Sequence, residues 1–183
     1  MVKVVQLDNP VLRQKAREVA PEEIGTPQLN KIIDDMKKAM DACYDGVAIA
    51  APQIGKSLRI FMVSPKAFIP PDEEITDEKL KKFKHLIFIN PKITKLSTKT
   101  VRLDEGCLSV RGIFGKIRRS EKATIEAIDE TGKKISRGAS GLLAEIFQHE
   151  TDHLDGILFV DKATDLYQLT QENEVPEKKS KNK

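Results

Sequence analysis

Apolar residues recur at helical spacing through Leu29, Ile32, Ile33, Met36, Met40 and Cys43, with Lys and Asp between them. Thr26-Pro27 supplies an N-cap and a proline at the first helical position, and Asp45-Gly46 supplies a stop. Together they predict an amphipathic helix over about 27–44. Asn9-Pro10 gives the same start signal for a short helix reaching about Arg17. After Gly46 the pattern turns small, apolar and tight, from Val47 to Gln53. Arg59 to Val63 and Leu86 to Asn90 read as buried strands, and Thr98 to Leu103, Gly115 to Arg118 and Ala123 to Asp129 as further strands. Asp129 to Lys133 has hairpin-turn chemistry. Proline and charge dominate residues 64–84, which predicts a long loop with a helical turn near Asp77 to Phe83. The last strong element is a helix from about Gly138 to Leu154. Leu142, Leu143, Ile146, Phe147 and Leu154 form its buried arc, and Gly156 follows as a stop. Strands and helices alternate irregularly. The expected class is α+β, with antiparallel or mixed sheets packed around the helix at 138–154.

The 183 residues favour one domain, expected over 1–170, with a polar tail at 171–183 expected to be disordered. Lys and Arg number 31 against 28 Asp and Glu, for a net charge of +3. That balance excludes a dedicated nucleic-acid binder. No apolar run is long enough to span a membrane, and Met1 to Val5 has neither export nor transit character, so a cytoplasmic location is expected. Cys43 falls on the apolar stripe of the first helix and reads as a core residue.

Two of the chain's three histidines lie in His149-Glu150-Thr151-Asp152-His153. On a helix both imidazoles point the same way, about 40° apart, on one edge of the buried arc. Two imidazoles on one face can clamp a divalent metal, and the adjacent carboxylate can take a proton from water held there. A catalytic metal commonly takes three protein ligands. The longer protease pattern would need histidine at position 159, which is Phe159, and the downstream glutamates lie in the polar tail. Cys107, after an extended segment and Gly106, is the remaining candidate, because a thiolate ligates iron or zinc well.

These residues carry a resemblance. Gly46 to Gln53, Glu105 to Ser109 and Gln148 to His153 resemble, in order, the three motifs of the peptide deformylases. Asn9 to Arg13 and Leu154 to Gly156 are similar to family sequence too, so the likeness runs from about residue 4 to 165. It implies a metal-dependent hydrolase that removes the N-formyl group from the initiator methionine of new proteins, releasing formate. Cys107, His149 and His153 would hold one divalent metal. The resemblance points to Fe(II), although Zn(II), Ni(II) and Co(II) fit the same donors. Glu150 would act as general base and then acid, with Gln53 and the Leu108 backbone N–H as oxyanion donors. Gly46, Val47, Ala48, Leu103, Leu142 and Ile146 match substrate-binding positions. Asp152 is expected to brace the helix through Arg118 or Arg119. The implied partners are N-formylmethionyl peptides and nascent chains; the sequence carries no signal of oligomeric state, and a monomer is the default expectation. The Lys-rich end, Lys178 to Lys183, offers a transient ribosome contact, against the plainer reading of a solvated tail.

Three positions depart from the family pattern or vary within it. Ala48 stands where the first motif has its second glycine, so a methyl group restricts positive φ and crowds the substrate. Arg111 replaces a frequent proline, and Glu145 occupies a variable pocket-edge position. Two rival readings use the same residues: a zinc peptidase, which needs no Cys107, and a deformylase-like protein that binds nascent chains without chemistry.

Overall fold

Asn9 caps its proline as the sequence predicts, accepting from the Val11 N–H, but only a 3₁₀ turn forms, Pro10–Arg13. The computed structural model describes residues 2–70 and 72–168, and the polar stretch 171–183 lies outside them. Beyond the turn the chain is extended. The Ala16 N–H donates to the Leu154 carbonyl and the Arg17 N–H to that of Ser57, so tertiary contacts take the donors a helix to Arg17 would need.

Thr26 Oγ1 accepts from the Leu29 N–H and opens helix α1, Pro27–Asp41. Residues 42–46 then turn tightly: the Cys43 N–H donates to Met40 and the Gly46 N–H to Cys43. The helix therefore stops three residues short of the expected end. A Cβ at Gly46 would sit 2.6 Å from the Met40 carbonyl oxygen, so this exit requires glycine.

Among the described residues, eight strands form two antiparallel sheets. The larger contains β1 (Ala48–Ala50), β2 (Ile60–Val63), β3 (Leu86–Leu96), β6 (Lys122–Ile128) and β7 (Lys134–Ser140), in that order. The smaller contains β4 (Thr100–Cys107), β5 (Val110–Ser120) and β8 (Thr164–Gln168). Helix α2 is one turn, Asp77–Leu80, and helix α3 spans Leu142–Leu154. The class is mixed α+β with antiparallel sheets.

Strand β2 explains how the core divides. Its four residues are all buried, and alternate side chains point to opposite faces. Ile60 and Met62 pack with Met36, Met40 and Ile49 beneath α1. Phe61 and Val63 pack with Phe88, Ile125 and Phe147 beneath α3. Phe61 stacks on Phe88 at 4.7 Å between ring centroids, and Phe147 meets Phe88 edge-on at 5.2 Å. Helix α3 is thereby fixed to the larger sheet.

Gly138 to Ser140, read from sequence as the start of this helix, instead pair with Thr124 to Lys122 and end β7. Gly141, at φ 58°, then makes the strand-to-helix corner. The β6–β7 hairpin closes through Asp129, whose N–H donates to the Lys133 carbonyl.

Candidate metal centre

Helix α3 carries His149 and His153 one turn apart, with ring centroids 4.9 Å from each other. Strand β4 approaches from the smaller sheet and ends at Cys107. Leu108 and Ser109 form the two-residue turn into β5, with Cys107 opposite Val110. This turn brings Cys107 Sγ to 3.2 Å from His153 Nε2. The thiol and one nitrogen from each imidazole all lie within 4.8 Å of one another. A Cβ at Gly106 would meet the Phe114 ring at 2.6 Å, so glycine permits the close passage of β4 over β5 beside the thiol.

Glu105 fixes the orientation of this group. It lies two residues before Cys107 and shares its face of the strand. Its Oε2 is 3.0 Å from His149 Nδ1, which leaves His149 Nε2 for the cluster. The carboxylate is almost fully buried and also accepts from Arg119 Nε at 2.7 Å and Nη2 at 3.0 Å. Burial opposes its charge, but the hydrogen bonds from His149 and Arg119 outweigh that and bring Glu105 down to about 2. Arg119 Nη1 continues to Asp152 at 2.6 Å, and Asp152 accepts from Lys162 at 2.7 Å. Of the two arginines considered from sequence, Arg119 meets Asp152, while Arg118 bonds Thr100. A chain of charge-assisted bonds thus ties β4, β5 and α3 together around the cluster.

Glu150 lines the same pocket from α3. Its Oε2 is buried and has no hydrogen-bond partner among the described residues. Burial and then the nearby Glu105 push its carboxyl up to about 7, against the pull of His149 and Arg119. The two histidines are driven apart: Cys107 and Glu105 raise His149 against its burial, whereas burial and the charge on His149 lower His153. One thiol and two imidazoles suit a four-coordinate divalent cation with one open position. The surrounding carboxylates and thiol call for positive charge at the same place, so the residues fit a metal.

Gln53 is held by its own short 3₁₀ turn, Ala51–Ile54. Its Oε1 accepts from the Ala50 N–H at 2.8 Å. Its Nε2 is turned to Ser109 Oγ at 3.2 Å and Cys107 Sγ at 3.5 Å. Its amide donor therefore points toward the cluster. Leu108, beside Cys107, lines the pocket as well.

The pocket over this cluster holds about 250 Å³. Val47, Ala48, Leu142 and Ile146 form its apolar wall, and Leu142 remains 45% exposed. Gly46 and Leu103, expected from sequence at substrate-binding positions, do not line it. Ala48 sits in β1, paired with Val63, and is not among the described non-glycine residues with positive φ. The expected backbone restriction therefore does not arise, and only the bulk of its methyl remains. Phe159 is buried and stacks on His149 at 6.3 Å, packing against a candidate ligand rather than serving as one. Cys43 is a buried free thiol in the core beneath α1.

Sequence reasoning assigned no role to Glu105 or Ser109. The signal available for both was the Glu105-to-Ser109 motif whose ends they form, together with the period-2 relation of Glu105 to Cys107.

A helix carrying two imidazoles, met by a thiol from a strand end, defines a metallohydrolase-like centre in an α+β fold. The polypeptide deformylase family model matches residues 1–168, and the chain belongs to that family. It is 44% identical over 162 residues to peptide deformylase 1A, chloroplastic/mitochondrial, of Arabidopsis thaliana, covering 87% of this chain and 60% of that protein. It is 36% identical over 168 residues to a peptide deformylase of Desulforudis audaxviator, covering 90% and 94%. A class I type b peptide deformylase from Acinetobacter baumannii, in a crystal structure with Met-Ala-Ser bound, superimposes with a TM-score of 0.75. Identity there is 29%, with 87% of this chain and 96% of that one covered. The chain spans about three fifths of the length of the plant relatives it matches. No described helix is long and apolar enough to cross a membrane.

Proposed function

We propose that this chain is a metal-dependent peptide deformylase, acting through one catalytic domain over residues 1–170. Its reaction removes the formyl group from N-formylmethionyl peptides and nascent chains and releases formate. The observation that carries this reading is the convergence of Cys107, His149 and His153 beside the unpartnered Glu150 oxygen, under an apolar wall. Cys107 Sγ, His149 Nε2 and His153 Nε2 would hold the cation, with Fe(II) the proposed metal. When bound, it supplies Lewis acidity and makes water at the site more acidic.

Glu150 takes a proton from the attacking water and returns one to the departing methionine nitrogen. Gln53 Nε2 and the Leu108 backbone N–H donate to the oxygen that gains charge as the formyl carbon becomes tetrahedral. Gln53 is suited to this because its other amide atom is anchored on Ala50, so the donor needs little reorganisation. Val47, Leu142 and Ile146 accept the methionine side chain, and the Ala48 backbone aligns the peptide. Glu105, Arg119 and Asp152 hold His149 and α3 in place. The substrate class sets the location where new chains emerge, in a cytoplasm-like compartment, with any ribosome contact transient.

The test is an anaerobic assay of formate release from formyl-Met peptides, with metal analysis of the same sample. Formate release that scales with bound metal is expected. Cys107→Ser should lose the metal, and Glu150→Gln should keep it while losing about 10²–10⁴-fold in rate. Cleavage of internal peptide bonds without formate would replace this reading with a peptidase.

A further inference from the structure

Glu145 stands in the first turn of α3, one turn before His149, and lines the pocket between Leu142 and Ile146. It is half-buried, and its carboxylate makes no hydrogen bond or ion pair with any described residue. The other charged side chains of this region are matched. At the rim, Arg111 bonds Asp45 at 3.2 Å and also reaches Cys43 Sγ at 2.8 Å. Deeper in, Glu105 is neutralised by Arg119. Glu150 belongs to the reacting centre. Glu145 is thus an acidic group lining the cleft with no directly bonded counter-charge among the described residues, while His149 and Arg119 attract it without a hydrogen bond. Burial, and after it the neighbouring Glu105, push its carboxyl up to about 7, against the pull of His149 and Arg119.

An apolar side chain is all that the proposed methionine slot asks of its wall, and Leu142, Ile146 and Val47 supply that. A carboxylate between two of them adds nothing to methionine binding and costs desolvation when the slot fills. It does create a field at the mouth, in a cleft where low dielectric walls focus charge. A cationic side chain next to the formyl-methionine would compensate Glu145; an anionic one would be repelled.

Resting on the deformylase reading above, we propose that Glu145 is a specificity-determining residue that favours substrates with a basic side chain directly after the formyl-methionine and disfavours acidic ones. The effect is charge selection at the pocket rim, separate from recognition of methionine itself.

The test compares formyl-Met-Lys-Ser, formyl-Met-Ala-Ser and formyl-Met-Glu-Ser on the metal-loaded wild-type chain and on Glu145→Gln, Glu145→Asp and Glu145→Lys. The wild type should prefer Lys over Glu by about tenfold in kcat/KM at low salt, shrinking as salt rises. Glu145→Asp should retain the preference, Glu145→Gln should bring the ratio close to one, and Glu145→Lys should invert it. A Lys/Glu ratio unchanged by Glu145→Gln would overturn the proposal. Calorimetric binding of the unformylated Met-Lys-Ser and Met-Glu-Ser peptides is measured alongside. Failure to release formate from any peptide would defeat the deformylase reading, while the binding ratio and its response to Glu145→Gln would still decide the charge preference.

Discussion

Glu105 Oε2 lies 3.0 Å from His149 Nδ1, and this one contact fixes which imidazole nitrogen faces Cys107. A carboxylate behind a ligating histidine both selects the tautomer and strengthens the ligand. Glu105→Gln removes the charge and leaves Arg119 with Asp152 as its remaining carboxylate. Metal affinity should fall about 10–100-fold. Breaking a buried pair should also cost about 3–5 kcal/mol of stability. Competition with a chelator and denaturant unfolding measure the two effects separately. Unaltered metal affinity would mean that packing, including Phe159 on the His149 ring, orients the imidazole without Glu105.

Gly156 ends the metal-proximal helix at φ 76°, and a Cβ there would lie 2.8 Å from both the carbonyl carbon and the oxygen of Arg13. Both partners are backbone atoms and cannot rotate away. Gly156→Ala should therefore destabilise the fold by about 2–4 kcal/mol, combining left-handed strain with overpacking. A loss below about 0.5 kcal/mol in denaturant unfolding would show that the Pro10–Arg13 turn yields freely.

The α+β class is legible in the sequence because β2 and the first half of β3 carry apolar runs and β6 alternates buried with more exposed positions. Strand β7 is not, since Lys134–Ser140 lies at the sheet edge with mostly solvated side chains, and edge strands need little apolar signal. Strand β8 is exposed along its length for the same reason. Helix α3 reads three or four residues too long because Gly138 to Ser140 fit either a helix start or a pairing with β6; the pairing is non-local and invisible in a window. At the site, Cys107, His149 and His153 are legible as residue types at motif spacing. Arg119 meeting Glu105 depends on the β4–β5 register, and His149 meeting Glu105 on how α3 docks against β4. Neither is written in local sequence.

Arg17 and Glu23 give the clearest pH signature outside the metal centre. Arg17 Nη1 and Nη2 donate to Glu23 at 2.7 and 2.8 Å, and the Ala20 N–H adds a third bond at 2.9 Å. These bonds, led by Arg17, hold Glu23 at about 2, below its ordinary 4.5. A carboxylate depressed on folding contributes its full stabilisation above the unfolded value. That contribution is lost as pH falls through the folded one. Wild type and Glu23→Gln should therefore differ most above pH 4.5 and converge toward pH 2. The pair lies at the surface, so the difference should be small and shrink with salt. Stability curves that stay parallel across this window would exclude a folded-state origin for the shift.

Ala48 offers the sharpest test of how tightly the pocket grips a peptide. It is buried in β1, pairs with Val63 and lines the pocket beside Val47, with ordinary strand dihedrals. Its methyl group can therefore act on the substrate only through bulk. Ala48→Gly removes that bulk and should raise kcat/KM for formyl-Met peptides about two- to fivefold, mainly by lowering KM, since crowding acts on binding before chemistry. Glycine within a strand costs about 0.5–1 kcal/mol, so thermal stability should fall slightly at the same time. Steady-state kinetics at matched metal content separate the two effects. If kcat/KM is unchanged or lower while stability falls as expected, the methyl group is packing the strand and does not crowd the substrate.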